Sequence, residues 1–445
     1  MKIALVMPQS DRPALAPKSG LQELKPPIGL LALAAAIRDE HDVRIIDAQA
    51  HRKPPGAVAQ MVAEGEPDAV GISVPFSSLW RSARGIAAGA RDLLGRDVPL
   101  IWGGVVPTFR AEQVLRDCEA DIVLRHETDR TFPALLRGLN DGSWRETPGV
   151  SYLGHSGAVV EQPFDHFVDD LDSLPFPAYD LLDAEERYRL SLISTRGCPH
   201  ACIYCSTRAM WGPWRARSAD NVLAEIAASL DRRQIDRFDF VDDNFSAVRR
   251  RVFEFCDGVQ EAGWDLRWGF SARVEQADRD LLERCSDAGC RMIFFGVESG
   301  SERVLQILGR RYGREQIIRA VDDCIECGIL PICSFMVGVP GETEADAEHT
   351  LEMLERLNTP RLQLHVFTPL IGTPVYENAE QYGVECAPGG MSRETIDGEV
   401  HHRTRELSRD QIRRLYLEGQ GIIAERAPET QRYAQFLQQI RQTRM

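Results

Sequence analysis

The sequence predicts an α/β protein made of two successive parallel-sheet domains followed by a small helical C-terminal cap. Three observations carry this expectation. Short apolar runs alternate with helical periodicity twice, once before residue 140 and again after residue 189. Between the two series, residues 141–188 lose that periodicity. At 445 residues the chain also exceeds what one hydrophobic core ordinarily organises.

In the first series Ile3–Met7 is a short apolar run, followed by a long loop ending in Pro26-Pro27 and a helical pattern over Gly29–Asp39. Val43–Asp47, Ala69–Val74 and Leu100–Trp102 are further buried-strand candidates, and Asp121–Leu124 with a helix from Thr131 completes the set. Strands covered on both faces read as continuous apolar runs, as these do. Residues 1–140 are therefore expected to form a doubly wound, flavodoxin-like unit. Residues 141–188, with Leu174-Pro175-Phe176-Pro177 and the acidic Asp169, Asp170 and Asp172, read as a linker.

In the second series strands are expected at Ser191–Thr195, Phe238–Val241, Arg267–Ser271, Met292–Val297, Ile332–Val337 and Leu362–Phe367. Helical stretches near Asp220–Asp231, Ala247–Ala262, Asp278–Asp287, Arg314–Cys327 and Glu344–Leu357 separate them. Six such units are too few to close an eight-unit barrel, so residues 189–384 should form an open (β/α)6 crescent. In such barrels chemistry gathers at the C-terminal strand ends. Residues 385–445 are polar. Ser408–Arg426 has helical periodicity through Ile412, Leu415, Leu417, Ile422 and Ile423, and reads as a cap on the barrel mouth.

The chain is 43% hydrophobic and 27% charged, an ordinary soluble composition. Its formal charge of −15 disfavours a nucleic-acid partner. It suits a cationic or neutral substrate, and a solvated acidic surface explains it equally well. Met1–Pro8 lacks the basic start and long apolar run of a secretory signal. No apolar stretch approaches the roughly 18 residues of a spanning helix, so no membrane association is expected. Eleven cysteines without a targeting signal read as reduced thiols in the cytoplasm.

The chemistry concentrates in Arg196-Gly197-Cys198-Pro199-His200-Ala201-Cys202-Ile203-Tyr204-Cys205, just after the first strand of the second series. Three thiolates within eight residues suit an iron–sulfur cluster, because soft, charged sulfur is its ligand. Three ligands on a four-iron cubane leave one iron open to chelate a small molecule. A zinc site would want a fourth ligand, for which His200 is at hand. The other eight cysteines (Cys118, Cys256, Cys285, Cys290, Cys324, Cys327, Cys333, Cys386) read as core residues. Cys324-x2-Cys327 has auxiliary-site spacing but lies at the end of a helix.

This Cys-x3-Cys-x2-Cys string, with an aromatic before the last cysteine, resembles that of the radical S-adenosylmethionine (SAM) superfamily. The resemblance runs over roughly residues 1–380. It implies that Cys198, Cys202 and Cys205 hold a [4Fe–4S] cluster that cleaves SAM to methionine and a 5′-deoxyadenosyl radical. It also implies that Asp242, in Phe240-Val241-Asp242-Asp243-Asn244-Phe245, lies near the methionine amine. Arg273, which ends the third strand of the barrel, would by the same resemblance be a cofactor-binding residue. Glu298, in Phe295-Gly296-Val297-Glu298-Ser299-Gly300, would contact the ribose or the methionyl group. Gly338 and Gly341, in Gly338-Val339-Pro340-Gly341-Glu342, would support the adenine, whose edge would meet the peptide groups around Tyr204. Each has a plainer reading beside it. Asp242 caps the next helix, Arg273 forms a structural ion pair, or Glu298 binds that arginine.

Pro26-Pro27-Ile28-Gly29-Leu30, Asp47-Ala48, Gly71-Ile72-Ser73 and Trp102-Gly103-Gly104 resemble the N-terminal half of cobalamin-type radical enzymes. That subfamily includes methyltransferases, and also aminoglycoside diol-dehydratases that keep the domain without using cobalamin. There are departures. No Asp-x-His-x-x-Gly string offers a lower cobalt ligand. Val106 stands where the family usually has a histidine nearby. His126-Glu127-Thr128-Asp129 replaces the usual Gly-Glu-Gly-Glu, which narrows a loop expected to approach the corrin. Cobalamin binding and a purely structural scaffold both stay open, with the lost glycines tipping the balance toward the scaffold.

The expectation is a radical SAM enzyme that abstracts hydrogen from a small hydroxylated or aminated substrate, served by an electron donor such as flavodoxin or ferredoxin. The leading outcome is dehydration or deoxygenation in secondary metabolism, an aminosugar or aminoglycoside suiting the acidic balance, as in antibiotic biosynthesis. A cobalamin-dependent methyltransferase is the alternative, and a non-catalytic iron–sulfur module a further one.

Overall fold

The computed structural model describes residues 1–10, 24–164, 167–183, 185–386 and 400–426. The chain divides into two compact units, Met1–Arg189 with Met210–Gly212, and Leu190–Ala209 with Pro213–Met445.

The first unit holds one sheet of strands β1 (Lys2–Met7), β2 (Asp42–Asp47), β3 (Ala69–Ser73), β4 (Leu100–Gly103), β5 (Ile122–Leu124), β6 (Val150–Leu153) and β7 (Val159–Glu161). Their order is β2-β1-β3-β4-β5-β6-β7, the first five parallel. This is the doubly wound order. Ile3, Leu5, Val70, Ile72 and Trp102 are all buried, as strands covered on both faces require. The winding reverses between β1 and β3. Right-handed crossovers running opposite ways put the helices Ile28–Ile37 and Trp80–Leu94 on opposite faces. A crevice therefore opens at the C-terminal ends of β1 and β3.

The stretch read as linker contains structure. β6 pairs antiparallel with β5, and β7 with β6. These strands are short and half exposed, so they lack the continuous apolar signature of the parallel ones. The chain then returns to the unit. Leu24 bridges to Tyr188, whose hydroxyl donates to Asp47 Oδ2 at 2.9 Å.

The second unit opens with β8 (Leu190–Leu192). Two short strands, β9 (Thr195–Arg196) and β10 (Arg215–Ala216), pair antiparallel beyond it. The sheet continues through β11 (Arg237–Phe240), β12 (Arg267–Ala272), β13 (Cys290–Glu298), β14 (Leu330–Val337) and β15 (Leu362–Val366). All six main strands are parallel and follow chain order from β8 to β15. Right-handed crossovers in strictly sequential order place the connecting helices on one face, as in an open barrel wall. Behind β11 and β12, Phe240 stacks on Phe245 at 4.2 Å, with Phe255, Trp268 and Phe270 packed around them. Trp268 Nε1 donates to the Ala288 carbonyl at 2.7 Å, which satisfies the one polar atom of that cluster.

Part of the C-terminal segment, residues 387–399 and 427–445, lies outside the described residues. Within the rest, β16 (Val384–Cys386) pairs antiparallel with β17 (His402–Thr404). The helix Arg409–Glu425 lies against β15 and the helix Glu344–Arg356, not simply over the strand ends. At Gly419 a Cβ would sit 2.2 Å from Leu364 Cδ2, so a larger residue would have to displace that leucine. Its buried stripe is Ile412, Leu415 and Gly419, whereas Leu417 is 58% exposed. Two residues on from Leu415 is about 200° around the helix, which places Leu417 on the opposite face. Among the described residues no helix is long and apolar enough to cross a membrane.

Candidate active site

The expected strand Ser191–Thr195 ends early, at Leu192. The cause is Asp242, beyond the end of β11. Ser194 N and Thr195 N donate to its Oδ1 at 2.7 and 3.0 Å, and Ser194 Oγ donates to its Oδ2. On the other edge Arg217 Nη1 donates to the Ile193 carbonyl at 3.1 Å and Arg251 Nη2 to the Ser194 carbonyl at 3.2 Å. Buried side chains thus take over the hydrogen bonds that a neighbouring strand would make. Burial pushes the Asp242 carboxyl above its ordinary value. Its side chain is committed to the entry of the cysteine loop, through Ser194 and Thr195. It does not cap the next helix.

Two neighbours that the sequence reading passed over face the loop instead. Asn244 Nδ2 lies 3.9 Å from Cys198 Sγ, while its buried Oδ1 has no partner among the described residues. Asp243 Oδ1 accepts from Thr207 Oγ1 at 3.1 Å. Its side chain opens to solvent, yet crowding by protein, more than the adjacent Asp242, pushes its carboxyl up to about 6. Phe240 and Phe245, stacked on each other, bracket this turn and hold it.

Cys198, Cys202 and Cys205 are free and half-buried, whereas seven of the other eight thiols are buried. Each of the three sulfurs has its own polar partner. Besides Asn244 on Cys198, Arg273 Nη1 lies 3.5 Å from Cys202 Sγ, and Thr207 Oγ1 lies 3.2 Å from Cys205 Sγ. Burial pushes the Cys198 and Cys205 thiols up. Three soft donors on one loop, each with a polar neighbour, fit an iron–sulfur cluster. Cys324 and Cys327 are core residues. Arg273 forms an ion pair, as the plainer reading had it, with Glu275 at 2.6 Å.

Glu298 sits at the end of β13 with φ 71, a left-handed conformation uncommon for a residue with a side chain. It does not bind Arg273. Its Oε1 accepts from Tyr204 Oη at 2.9 Å and from Arg310 Nη2 at 2.7 Å, and Arg310 Nε reaches Tyr204 Oη at 3.1 Å. Arg310 ties the cysteine loop, through the Tyr204 side chain, to the strand end that carries Glu298. The sequence reading missed it, although it follows Gly309, where an added Cβ would just touch the loop at Ala201 and Cys202.

Gly338 and Gly341 turn with φ 80 and 77. A Cβ on Gly338 would meet Ile412 Cγ2 at 2.9 Å, and His402 Nε2 donates to its carbonyl at 2.7 Å, so the C-terminal segment packs on this turn. From inside, the fully buried Glu342 accepts from Gly338 N at 2.6 Å and Val339 N at 3.2 Å, and burial pushes its carboxyl up to about 8. Between its ordinary 4.5 and about 8 the folded chain keeps a proton that the unfolded chain has lost, so this group makes stability fall as pH rises through that window. Glu342→Gln keeps the acceptor and should flatten that fall. Urea midpoints from pH 5 to 8 running parallel to wild type would contradict it.

In the first unit Gly29 lies in the first turn of its helix, where a Cβ would meet nothing within 4 Å among the described residues. No packing among the described residues requires a glycine here, so the space suits an approaching group. Across the crevice, beyond β3, Phe76 is 62% exposed. Gly104 is required by the chain itself, because at φ 105 a Cβ would lie 2.9 Å from the Val74 carbonyl. Val106 is core. His126 adopts φ 62, a conformation glycine takes readily, and its ring turns in among Phe109, Phe164 and Phe167. Glu127 accepts from Val168 N at 2.7 Å. The side chain in place of the first glycine is thus absorbed by packing. The open glycine and the exposed ring fit a broad, flat group such as a corrin.

A three-cysteine loop on an open barrel wall, with a doubly wound unit ahead of it, defines an iron–sulfur enzyme with a second cofactor crevice. Residues 192–354 match the family model of the radical SAM superfamily, and residues 21–136 that of the B12 binding domain. An uncharacterized methyltransferase of Pyrococcus horikoshii is 30% identical over 94% of this chain and 92% of its own. An anaerobic magnesium-protoporphyrin IX monomethyl ester cyclase of Rubrivivax gelatinosus is 25% identical, over 74% of this chain and 61% of its own. The bacteriochlorophyllide d C-12(1)-methyltransferase of Chlorobaculum tepidum is 25% identical over 62% and 59%. Among solved structures, the radical SAM methyltransferase TsrM from Kitasatospora setae, with cobalamin and a [4Fe–4S] cluster, superposes with a TM-score of 0.74 at 16% identity, over 96% of this chain and 88% of its own. The cobalamin-dependent radical enzyme OxsB, with aqua-cobalamin and SAM bound, gives 0.74 at 19% identity over 95% and 66%. At these identities the structural likeness is one of fold.

The chain belongs to the radical SAM superfamily, and it carries a B12 binding domain ahead of the radical SAM domain. Its cofactors are a [4Fe–4S] cluster, SAM and cobalamin. The balance drawn from the lost glycines is thereby reversed, for the reason His126 shows.

Proposed function

We propose that this chain is a cobalamin-dependent radical SAM methyltransferase acting on a small molecule and reduced by a flavodoxin or ferredoxin. The observation that carries the reading is the 30% identity, across both units, to a protein named as a methyltransferase. Dehydration or deoxygenation, the lead from composition and resemblance, is not supported by these relatives. The cyclase relative favours, as a second reading, hydrogen abstraction without methyl transfer.

When bound, the cluster supplies the electron that cleaves SAM and the cobalamin supplies the methyl group. The chain's own residues do the rest. Cys198, Cys202 and Cys205 hold the iron. Asp242, Arg217 and Arg251 fix the entry of their loop, and Arg310 orients Glu298 toward the ribose or methionyl part of SAM. Protein loaded with cluster and cobalamin should be incubated with methyl-labelled SAM and a low-potential reductant. It should release S-adenosylhomocysteine and retain label with the protein. Release of 5′-deoxyadenosine with no S-adenosylhomocysteine would overturn the reading in favour of the second.

A further inference from the structure

We propose that Arg273 is a positioning residue that sets the reduction potential of the cluster through Cys202. The inference goes beyond methyl transfer and holds whatever group the enzyme moves.

The three ligand sulfurs have unlike neighbours. Cys198 has the Asn244 amide, and Cys205 has the Thr207 hydroxyl with the Asp243 carboxylate behind it. Among the described residues Cys202 alone of the three has a cation within hydrogen-bond distance, Arg273 Nη1 at 3.5 Å. Arg310 is nearby, but it donates to Tyr204 and Glu298.

Arg273 is buried and held from several sides. It follows β12 directly. Its backbone N donates to Gln276 Oε1 at 3.4 Å, its carbonyl accepts from Gln276 N at 3.0 Å, and Ser246 Oγ donates to the same Gln276 oxygen at 2.9 Å. Glu275 grips Nε at 2.6 Å, and the planar guanidinium then presents Nη1 to the sulfur. One-electron reduction adds negative charge to the cluster. A buried cation hydrogen-bonded to a ligand sulfur stabilises that added charge, and hydrogen bonds to sulfur are a recognised determinant of cluster potential. Glu275 opposes the effect by partly neutralising the guanidinium. The two side chains should therefore act with opposite signs, which a merely structural pair would not do.

The test is a redox titration of anaerobically reconstituted protein without SAM. Each cluster takes one electron from titanium(III) citrate, which becomes titanium(IV), and the reduced cluster is counted by electron paramagnetic resonance. In Arg273→Gln the ratio of reduced to oxidised cluster at a fixed potential should fall about tenfold, the equivalent of one charged hydrogen bond. Arg273→Lys should fall between that and wild type, and Glu275→Gln should shift the ratio upward. Should Arg273→Gln fail to load iron, Arg273→Lys and Glu275→Gln decide by the same readout. Unchanged ratios in iron-loaded variants, or shifts of one sign in both, would overturn the proposal.

Discussion

Cys202→Ala should lose the cluster and form no 5′-deoxyadenosine. Three thiolates are what leave one iron of a cubane open, and two do not hold the cluster. The change also removes the sulfur that Arg273 Nη1 faces, leaving the guanidinium with Glu275. Iron and sulfide analysis of anaerobic protein should show about four irons per wild-type chain and far fewer in the variant. Incubation with SAM and a strong reductant, followed by chromatography, should show the nucleoside only in wild type. A fully loaded, active variant would sink the assignment. Cys324→Ala and Cys327→Ala should leave iron unchanged, because both residues are packed in the core. Iron loss there would revive the auxiliary site.

Arg310→Ala should be among the most destabilising single changes in the second unit. The arginine bridges two partners, and the Glu298 carboxylate it pairs with is itself about nine-tenths buried. Removing one member of a buried pair leaves the other charge uncompensated, at a cost of about 3–5 kcal/mol. The same change frees the left-handed Glu298 and the Tyr204 anchor of the cysteine loop, so SAM affinity should fall with stability. Arg310→Lys should recover only part, since a single ammonium does not reproduce the planar fork. Urea denaturation and equilibrium binding of SAM are the measurements. Unchanged values for both in Arg310→Ala would show that the triad holds nothing in place.

Much of the fold was legible because its signals are local. Apolar runs such as Ile3–Met7 and Ile332–Val337 mark strands buried on both sides, and the structure has them as β1 and β14. The hairpin of β6 and β7 was illegible because short, half-exposed strands at the end of a sheet carry no continuous apolar run. The early end of β8 was illegible for another reason. Asp242, 48 residues from Ser194 in the chain, replaces the strand's hydrogen bonds there. Leu417 shows that a helical residue called apolar by type can still face outward when its angular position is wrong.

The sequence by itself determined the α/β class, the order of the two series and the loop that carries the thiolates, because periodicity and ligand spacing are properties of neighbouring residues. It left the polar ends of the strands undecided. Asp242 and Asp243 are adjacent and chemically alike, yet one anchors the loop entry and the other faces Thr207. Successive side chains in extended chain point to opposite sides, so only the register of β11 against β8 decides which is which. Tertiary structure alone likewise paired Glu298 with Arg310, set Arg273 on Cys202 and turned His126 into its ring of phenylalanines. Those partners lie from 12 to 71 residues apart along the chain, and the contacts arise only when the folded backbone brings their strand ends and loops together.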